Sequence, residues 1–182
     1  MSAQFDTVTI VGVGLLGGSL GLALKQRGLA KCVLGLGRRP EPLKVALDRG
    51  AIDAIAGSIG DAVPQSELVV LCTPAAGVPA YLDQVRTFCG KQTAVTDVAS
   101  TKAEICTHAR KAWAHPYRFI GSHPMAGSEK YGPEFASPDL YTGSVCFVEE
   151  KNDHAPDAYD TVSRLWESVG ANVVPVDPVE HD

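Results

Sequence analysis

The chain has 182 residues, 45% hydrophobic and 20% charged, with a formal net charge of −5 at pH 7. That length suits one α/β domain with a proper core, and the negative balance leaves no basic footprint for nucleic acid or an anionic membrane. No apolar run approaches membrane-spanning length, and residues 1–6 (Met-Ser-Ala-Gln-Phe-Asp) lack the basic and apolar regions of a signal peptide.

A β-branched run at 8–13 reads as a strand and empties into Gly12-Val13-Gly14-Leu15-Leu16-Gly17, a G-x-G-x-x-G turn. With a strand before it and an amphipathic helix after it, this is the dinucleotide-binding fingerprint. Gly12 permits the tight turn, Gly14 lets the backbone approach a pyrophosphate, and Gly17 lets the helix pack closely on the strand. The helix N-terminus supplies N–H groups and a positive dipole end. The alternative is a Rossmann-like domain that binds no nucleotide. The helix runs over 16–27 and stops at Gly28, a natural C′ residue.

Further along, strands are expected at 31–36, 54–55, 68–72, 93–96 and 118–121, with helices at 42–49, 78–89 and 102–113. A strand–helix–strand unit follows at 143–149, 155–169 and 172–176. This alternation predicts an α/β, doubly wound, mainly parallel sheet of Rossmann type with helices on both faces. The whole of 1–182 reads as one dinucleotide-binding domain. Five scattered cysteines (32, 72, 89, 106 and 146) form no C-x-x-C and no Cys/His ligand spacing. They read as reduced thiols, which favours the cytoplasm and no metal site.

Cofactor choice turns on the end of the second strand, Gly35-Leu36-Gly37-Arg38-Arg39. NAD enzymes carry Asp or Glu there for the ribose hydroxyls, whereas NADP enzymes omit it and supply arginine. Here Gly37 takes the acidic position and two arginines follow. A guanidinium can clasp a 2′-phosphate with paired hydrogen bonds, so NADP is preferred and NAD is possible. Alternatively, Arg38 merely stacks on adenine and Arg39 is solvated.

In this fold ligands gather at the carboxyl edge of the sheet. Three strands end there in polar or turn-forming sequence: Cys72-Thr73-Pro74, then Thr96-Asp97-Val98-Ala99-Ser100-Thr101-Lys102, then Gly121-Ser122-His123-Pro124. All three would converge at the nicotinamide end of a bound dinucleotide. His108 in a helix, His115 in a turn and His154 in a polar loop read as surface residues. His123 stands just past a strand end with Pro124 restricting it, and is either catalytic or a satisfied structural histidine. Ser100 could bridge a substrate oxygen and an imidazole, or N-cap the next helix. Lys102 could approach the cofactor or sit in a solvated first turn. Asp97 reads as a loop anchor that accepts backbone N–H bonds.

At these segments the chain resembles the prephenate/arogenate dehydrogenases of tyrosine biosynthesis. The resemblance rests on G-x-G-x-x-G-G-S, C-T-P, T-D-V-A-S-T-K and G-S-H-P-M-A-G-S-E in that order, from Val8 to about Glu129, with a family-like Glu180-His181-Asp182 at the close. It implies NAD(P)-dependent oxidative decarboxylation of a small molecule, prephenate or arogenate. It implies His123 as the catalytic histidine, Ser100 beside it, and Ser128 and Glu129 at the substrate entrance, where solvation alone is the plainer reading of Glu129. The cofactor set would be Gly12, Gly14, Leu15, Leu16, Gly17, Gly37, Arg38, Arg39, Cys72, Thr73, Pro74 and Ser100. A helical domain that dimerises and completes the substrate pocket would follow residue 182, so the full-length enzyme is expected to be a homodimer. The competing readings are another Rossmann dehydrogenase, acting on a hydroxy acid or an imine, and a non-catalytic nucleotide-sensing domain.

Overall fold

The computed structural model describes residues 3–182, so the first two residues of the segment read for a signal peptide lie outside it. The central layer is a parallel six-stranded sheet of β1 (Phe5–Val11), β2 (Ala30–Leu36), β3 (Ala54–Ile55), β4 (Leu68–Leu71), β5 (Ala94–Asp97) and β6 (Phe119–Ile120). Their order is β3-β2-β1-β4-β5-β6, so the winding reverses between β1 and β4. A smaller sheet holds β7 (Ser122–Pro124), β8 (Val145–Glu149) and β9 (Asn172–Val176) in that order, with β7 antiparallel to β8 and β8 parallel to β9. The helices are α1 (Leu15–Gln26), α2 (Pro40–Asp48), α3 (Ile59–Ala62), α4 (Val78–Phe88), α5 (Ala103–Ala112), α6 (Pro156–Ser168) and α7 (Pro178–His181).

The pleat explains why β1 and β4 read as continuous apolar runs. Val8, Ile10, Leu68 and Val70 point to one face and pack with Leu20 and Leu24 of α1 and Leu165 and Trp166 of α6. Val11, Val69 and Leu71 point to the other, against Leu82 and Val85 of α4 and Ile105 of α5. Strands covered on both faces lose their alternation of polar and apolar residues.

Three differences from the sequence reading have identifiable causes. The helix α3 was not anticipated, although Ser58-x-x-Asp61 is a usable signal: the Ser58 hydroxyl accepts the Asp61 N–H at 3.2 Å. The strand expected at 118–121 is really two, and His123 lies within β7 rather than just past a strand end. Asp97 causes the break. Its Oδ1 accepts the Ser122 N–H at 3.0 Å, the Ser122 hydroxyl donates to the Asp97 carbonyl at 2.5 Å, and Trp166 Nε1 donates to the same hydroxyl at 3.0 Å. Ser122 therefore leaves the β5 ladder for side-chain partners, and the chain crosses into the second sheet. Finally, His154 is not a surface residue. Its side chain is 1% exposed, with Nε2 3.3 Å from Glu149 Oε2. Asn152 N–H donates to its Nδ1 at 3.4 Å, so Nε2 carries the proton that faces Glu149.

Candidate active site

At the switch point between β1 and β4 lies a cleft of about 490 Å³. Of the residues singled out in the sequence, Gly12, Gly14, Gly37, Arg38, Arg39, Cys72, Thr73 and Pro74 line it. Gly12 has φ +95°, and a Cβ there would stand 2.5 Å from the Cys72 carbonyl oxygen. A Cβ on Gly17 would meet the Gly12 carbonyl oxygen at 2.3 Å, so the helix seats on the turn only because both are glycine. Around Gly14 nothing lies within 4 Å of such an atom, which leaves open space where the backbone faces the cleft. Gly14 gives α1 no side-chain cap and its first turn carries no acid. The amides there are free for an anion.

Leu15, Leu16 and Gly17 form the first turn of α1 and do not line the cleft; the Leu16 carbonyl instead accepts the Tyr141 hydroxyl at 2.8 Å. Arg38 and Arg39 are exposed, and neither guanidinium has a side-chain or carbonyl partner among the described residues. Thr73 Oγ1 is buried with no hydrogen-bond partner, a cost a bound polar group would relieve. These features fit a dinucleotide: free amides at the helix start, an orphaned hydroxyl in the cleft and two unengaged guanidiniums at its rim. Burial, then Asp97, pushes the Cys72 thiol up, so it stays neutral and is no nucleophile.

Sequence reasoning missed Tyr81 on α4 and Gly132 and Pro133, which form other parts of the wall. Arg49 fixes that loop by donating to the Pro133 carbonyl at 2.5 Å and the Ala136 carbonyl at 3.0 Å, and the Ser137 N–H reaches Ser19 Oγ at 3.0 Å. Only tertiary contact brings this segment over α1, so no local pattern announces it.

The second group of residues lies where β5 and β6 end. His123 is half-buried on β7, opposite Phe147 of β8. Burial, then His181, then Lys102 lower its pKa below the ordinary imidazole value, against the opposing pull of Asp182. Its Nδ1 is 2.9 Å from His181 Nε2, and His181 Nδ1 is 2.7 Å from Asp182 Oδ1. The Glu180-His181-Asp182 segment was noted in the sequence only as family-like, although its three consecutive titratable side chains were signal enough to ask more of it.

Ser100 is exposed in the loop between β5 and α5, and its hydroxyl has no protein partner among the described residues. It is not the N-cap of α5. That position is Lys102, and Asp182 does the capping, with Oδ1 accepting the Lys102 N–H at 2.7 Å and Oδ2 the Ala103 N–H at 3.0 Å. Lys102 is neither solvated nor directed at the cleft: its buried ammonium pairs with Asp97. Asp97 also accepts the Ala99 N–H at 3.0 Å, the anchoring expected of it. Ser128 and Glu129 are exposed on the loop leaving β7, where Ser128 Oγ accepts the Lys130 N–H at 3.1 Å. No group of three or more His, Cys, Asp or Glu side chains able to hold a metal occurs among the described residues.

A parallel sheet wound 3-2-1-4-5-6, with a glycine turn at its switch point and free helix-start amides, defines a dinucleotide-binding domain. Residues 20–175 match the family model for the prephenate dehydrogenase nucleotide-binding domain, and the chain belongs to that family. It is 30% identical to the prephenate dehydrogenase of Bacillus subtilis (strain 168) over 183 residues, which cover all of this chain and 49% of that protein. The fold is similar to that of Aquifex aeolicus prephenate dehydrogenase solved with hydroxyphenyl propionate and NAD+. The two share a TM-score of 0.89 and 30% identity, covering 97% of this chain and 61% of that one. Synechocystis arogenate dehydrogenase gives a TM-score of 0.87 at 26% identity, with 96% and 61% covered. The relationship thus runs well past Glu129, and the chain spans about half the length of the curated Bacillus relative.

Proposed function

We propose that this chain is the nucleotide-binding half of an enzyme that oxidatively decarboxylates prephenate or arogenate with NADP in preference to NAD. The observation that carries the dehydrogenase reading is the match in fold and sequence to an enzyme solved with hydroxyphenyl propionate and NAD+, while the NADP preference rests on Gly37 followed by Arg38 and Arg39. A nicotinamide, when bound, supplies the hydride acceptor. This chain's residues do the rest. The helix-start amides beyond Gly14 would hold the pyrophosphate, with Thr73 and Pro74 in the same cleft, and Arg38 and Arg39 would take the adenosine ribose and its phosphate. His123 Nε2 takes the proton of the ring hydroxyl as hydride leaves the carbon that bears it. The ring carboxylate departs as carbon dioxide, and aromatisation drives the step. A neutral imidazole suits this role, and the lowered pKa of His123 keeps it neutral. Ser100, with its hydroxyl free, orients substrate oxygen and imidazole, while Ser128 and Glu129 stand at the entrance.

The remaining half of the protein is a helical domain that closes over the substrate and dimerises. Five free cysteines support a cytoplasmic setting. The test is to assay the full-length polypeptide with both substrates and both cofactors, beside residues 1–182 alone. The full-length protein should turn over one of the acids, faster with NADP. The shorter chain should bind cofactor without appreciable turnover, because water stays in its open site. No oxidation of either acid by the full-length protein would overturn the reading.

A further inference from the structure

We infer that Asp182 and His181 form a positioning relay that fixes the ring of His123 as the tautomer with a proton on Nδ1 and a bare Nε2, ready to accept a proton. The inference rests on the reading of His123 as the base, and extends it to two residues with no role in that reading.

With His181 neutral, the hydrogen bonds leave one consistent solution. Asp182 Oδ1 and Oδ2 accept the Lys102 and Ala103 amides at the start of α5, and that carboxylate has acceptors only. Burial works to raise its pKa, but the hydrogen bonds from His181 and from those two amides outweigh it, and the carboxyl sits below its ordinary range. His181 Nδ1, at 2.7 Å from this carboxylate, must therefore donate. A neutral His181 then has a bare Nε2, and at 2.9 Å it can only accept from His123 Nδ1–H. That places the lone pair of His123 on Nε2.

Packing fixes the geometry. The His181 side chain is 5% exposed. The Phe147 ring lies edge-on to it at 5.5 Å between centroids and 80° between planes, while the His123 ring meets it at 5.1 Å and 71°. Because His123 and Phe147 are cross-strand partners, one β7–β8 register sets both contacts. The other titratable or charged groups near His123 are Lys102, neutralised by Asp97, and Cys146 of β8, whose thiol burial keeps protonated. None of them competes for Nδ1. The relay also ties α7 to the loop that carries Ser100, since Asp182 holds the first amides of α5.

The experiment is long-range proton–nitrogen NMR of the histidine rings in the 1–182 chain, joined to kinetics of the full-length protein. The wild-type His123 ring should show the Nδ1–H tautomer. Replacing His181 with leucine removes the acceptor and should convert His123 to the commoner Nε2–H form. The same change should lower kcat about 10- to 100-fold, as expected for one lost hydrogen bond to a group that becomes charged. Cofactor Kd should hold, because the cleft lies on β1, β2 and β4. His181→Gln restores an acceptor and should recover part of both signals. An Nε2–H tautomer in the wild-type ring would overturn the inference without any variant having to fold. So would a leucine variant with wild-type tautomer and kcat. If the tautomer is as stated but His123→Asn keeps full activity, the relay stands and the assignment of His123 as base fails.

Discussion

Lys102 and Asp97 form an ion pair almost without solvent, their side chains 2% and 0% exposed. The Asp97 carboxylate also holds the Ala99 and Ser122 amides, so a single side chain stitches together the end of β5, the loop bearing Ser100 and the start of β7. Replacing one partner of such a pair leaves an uncompensated buried charge, whereas replacing both with apolar residues of similar size need not destabilise. Asp97→Ala should therefore cost about 3–5 kcal/mol in urea unfolding, near the whole stability of a marginal domain. Lys102→Met should cost less, because the two amides still satisfy the carboxylate. Equal and small losses for both would mean that water reaches the pair.

The proposed NADP preference rests on one missing side chain. Gly37 has no positive φ, and a Cβ there would lie 3.6 Å from the Leu43 side chain, an ordinary contact, so aspartate fits without strain. It would place a carboxylate at the cleft rim beside Arg38 and Arg39. Gly37→Asp should weaken NADP binding relative to NAD by about 1–3 kcal/mol, the range of a charge-assisted hydrogen bond lost or gained. Calorimetry on the 1–182 chain reads this directly. Tighter binding of NAD than NADP by the unmodified chain would end the NADP assignment.

Glu149 sits where the second sheet meets the first. Its carboxylate is 2.5 Å from Arg110, 3.3 Å from His154 and 3.1 Å from the Gly121 N–H. Burial works to raise its pKa, but His154, the Gly121 amide and Arg110 outweigh it, and the folded value lies below the ordinary 4.5. A depressed carboxyl contributes stability that is fully present above the unfolded pKa and lost as pH falls through the folded one. The protein should thus lose stability below about pH 4.5, and Glu149→Gln should flatten that part of the curve. At neutral pH the same variant should cost about 1–3 kcal/mol, at the lower end because Arg110 is 38% exposed and can turn to water. A profile unchanged by the substitution would remove Glu149 from the account.

The fold was legible wherever one segment carries its own signal. The glycine turn declared its place because Gly12 and Gly17 answer largely to the β1–α1 unit itself, with Cys72 and Thr73 as distant neighbours. Strand identities followed from β-branched runs, because a strand buried on both faces is apolar throughout. What escaped depends on side-chain pairings that no local pattern announces. His154 looked like a loop histidine among polar neighbours, yet Glu149 draws it inside. Lys102 opens a helix and would ordinarily be solvated, but Asp97 five residues earlier turns it inward. The break between β6 and β7 is invisible locally, since it needs Asp97 to take an amide 25 positions away. The candidate site was half readable for the same reason. His123 and Ser100 each stand in a motif, while His181, which meets His123 at 2.9 Å, comes from α7, 58 positions later.

The histidine itself gives the sharpest functional test. His123→Asn in the full-length protein keeps a hydrogen-bonding side chain of similar size on β7 but removes a basic nitrogen. General-base catalysis is typically worth about 10²–10⁴-fold, so kcat should fall by that much or more. Cofactor affinity should barely change, because the cleft around Gly12, Gly14 and Thr73 lies on other loops. The pH profile of kcat/KM carries a second mark. With His123 as the proposed base, the rate needs the neutral imidazole and should rise with pH through the His123 pKa. Burial, with His181 and Lys102 acting in the same direction, puts that value below the ordinary 6.5. The acidic limb of the wild-type profile should accordingly fall below about pH 6.5, and it should vanish in the asparagine variant. Ser100→Ala should be milder and keep the limb, since it removes one orienting hydroxyl and leaves the base. Near-normal kcat in the asparagine variant, or a loss that tracks weaker cofactor binding, would make His123 a structural residue.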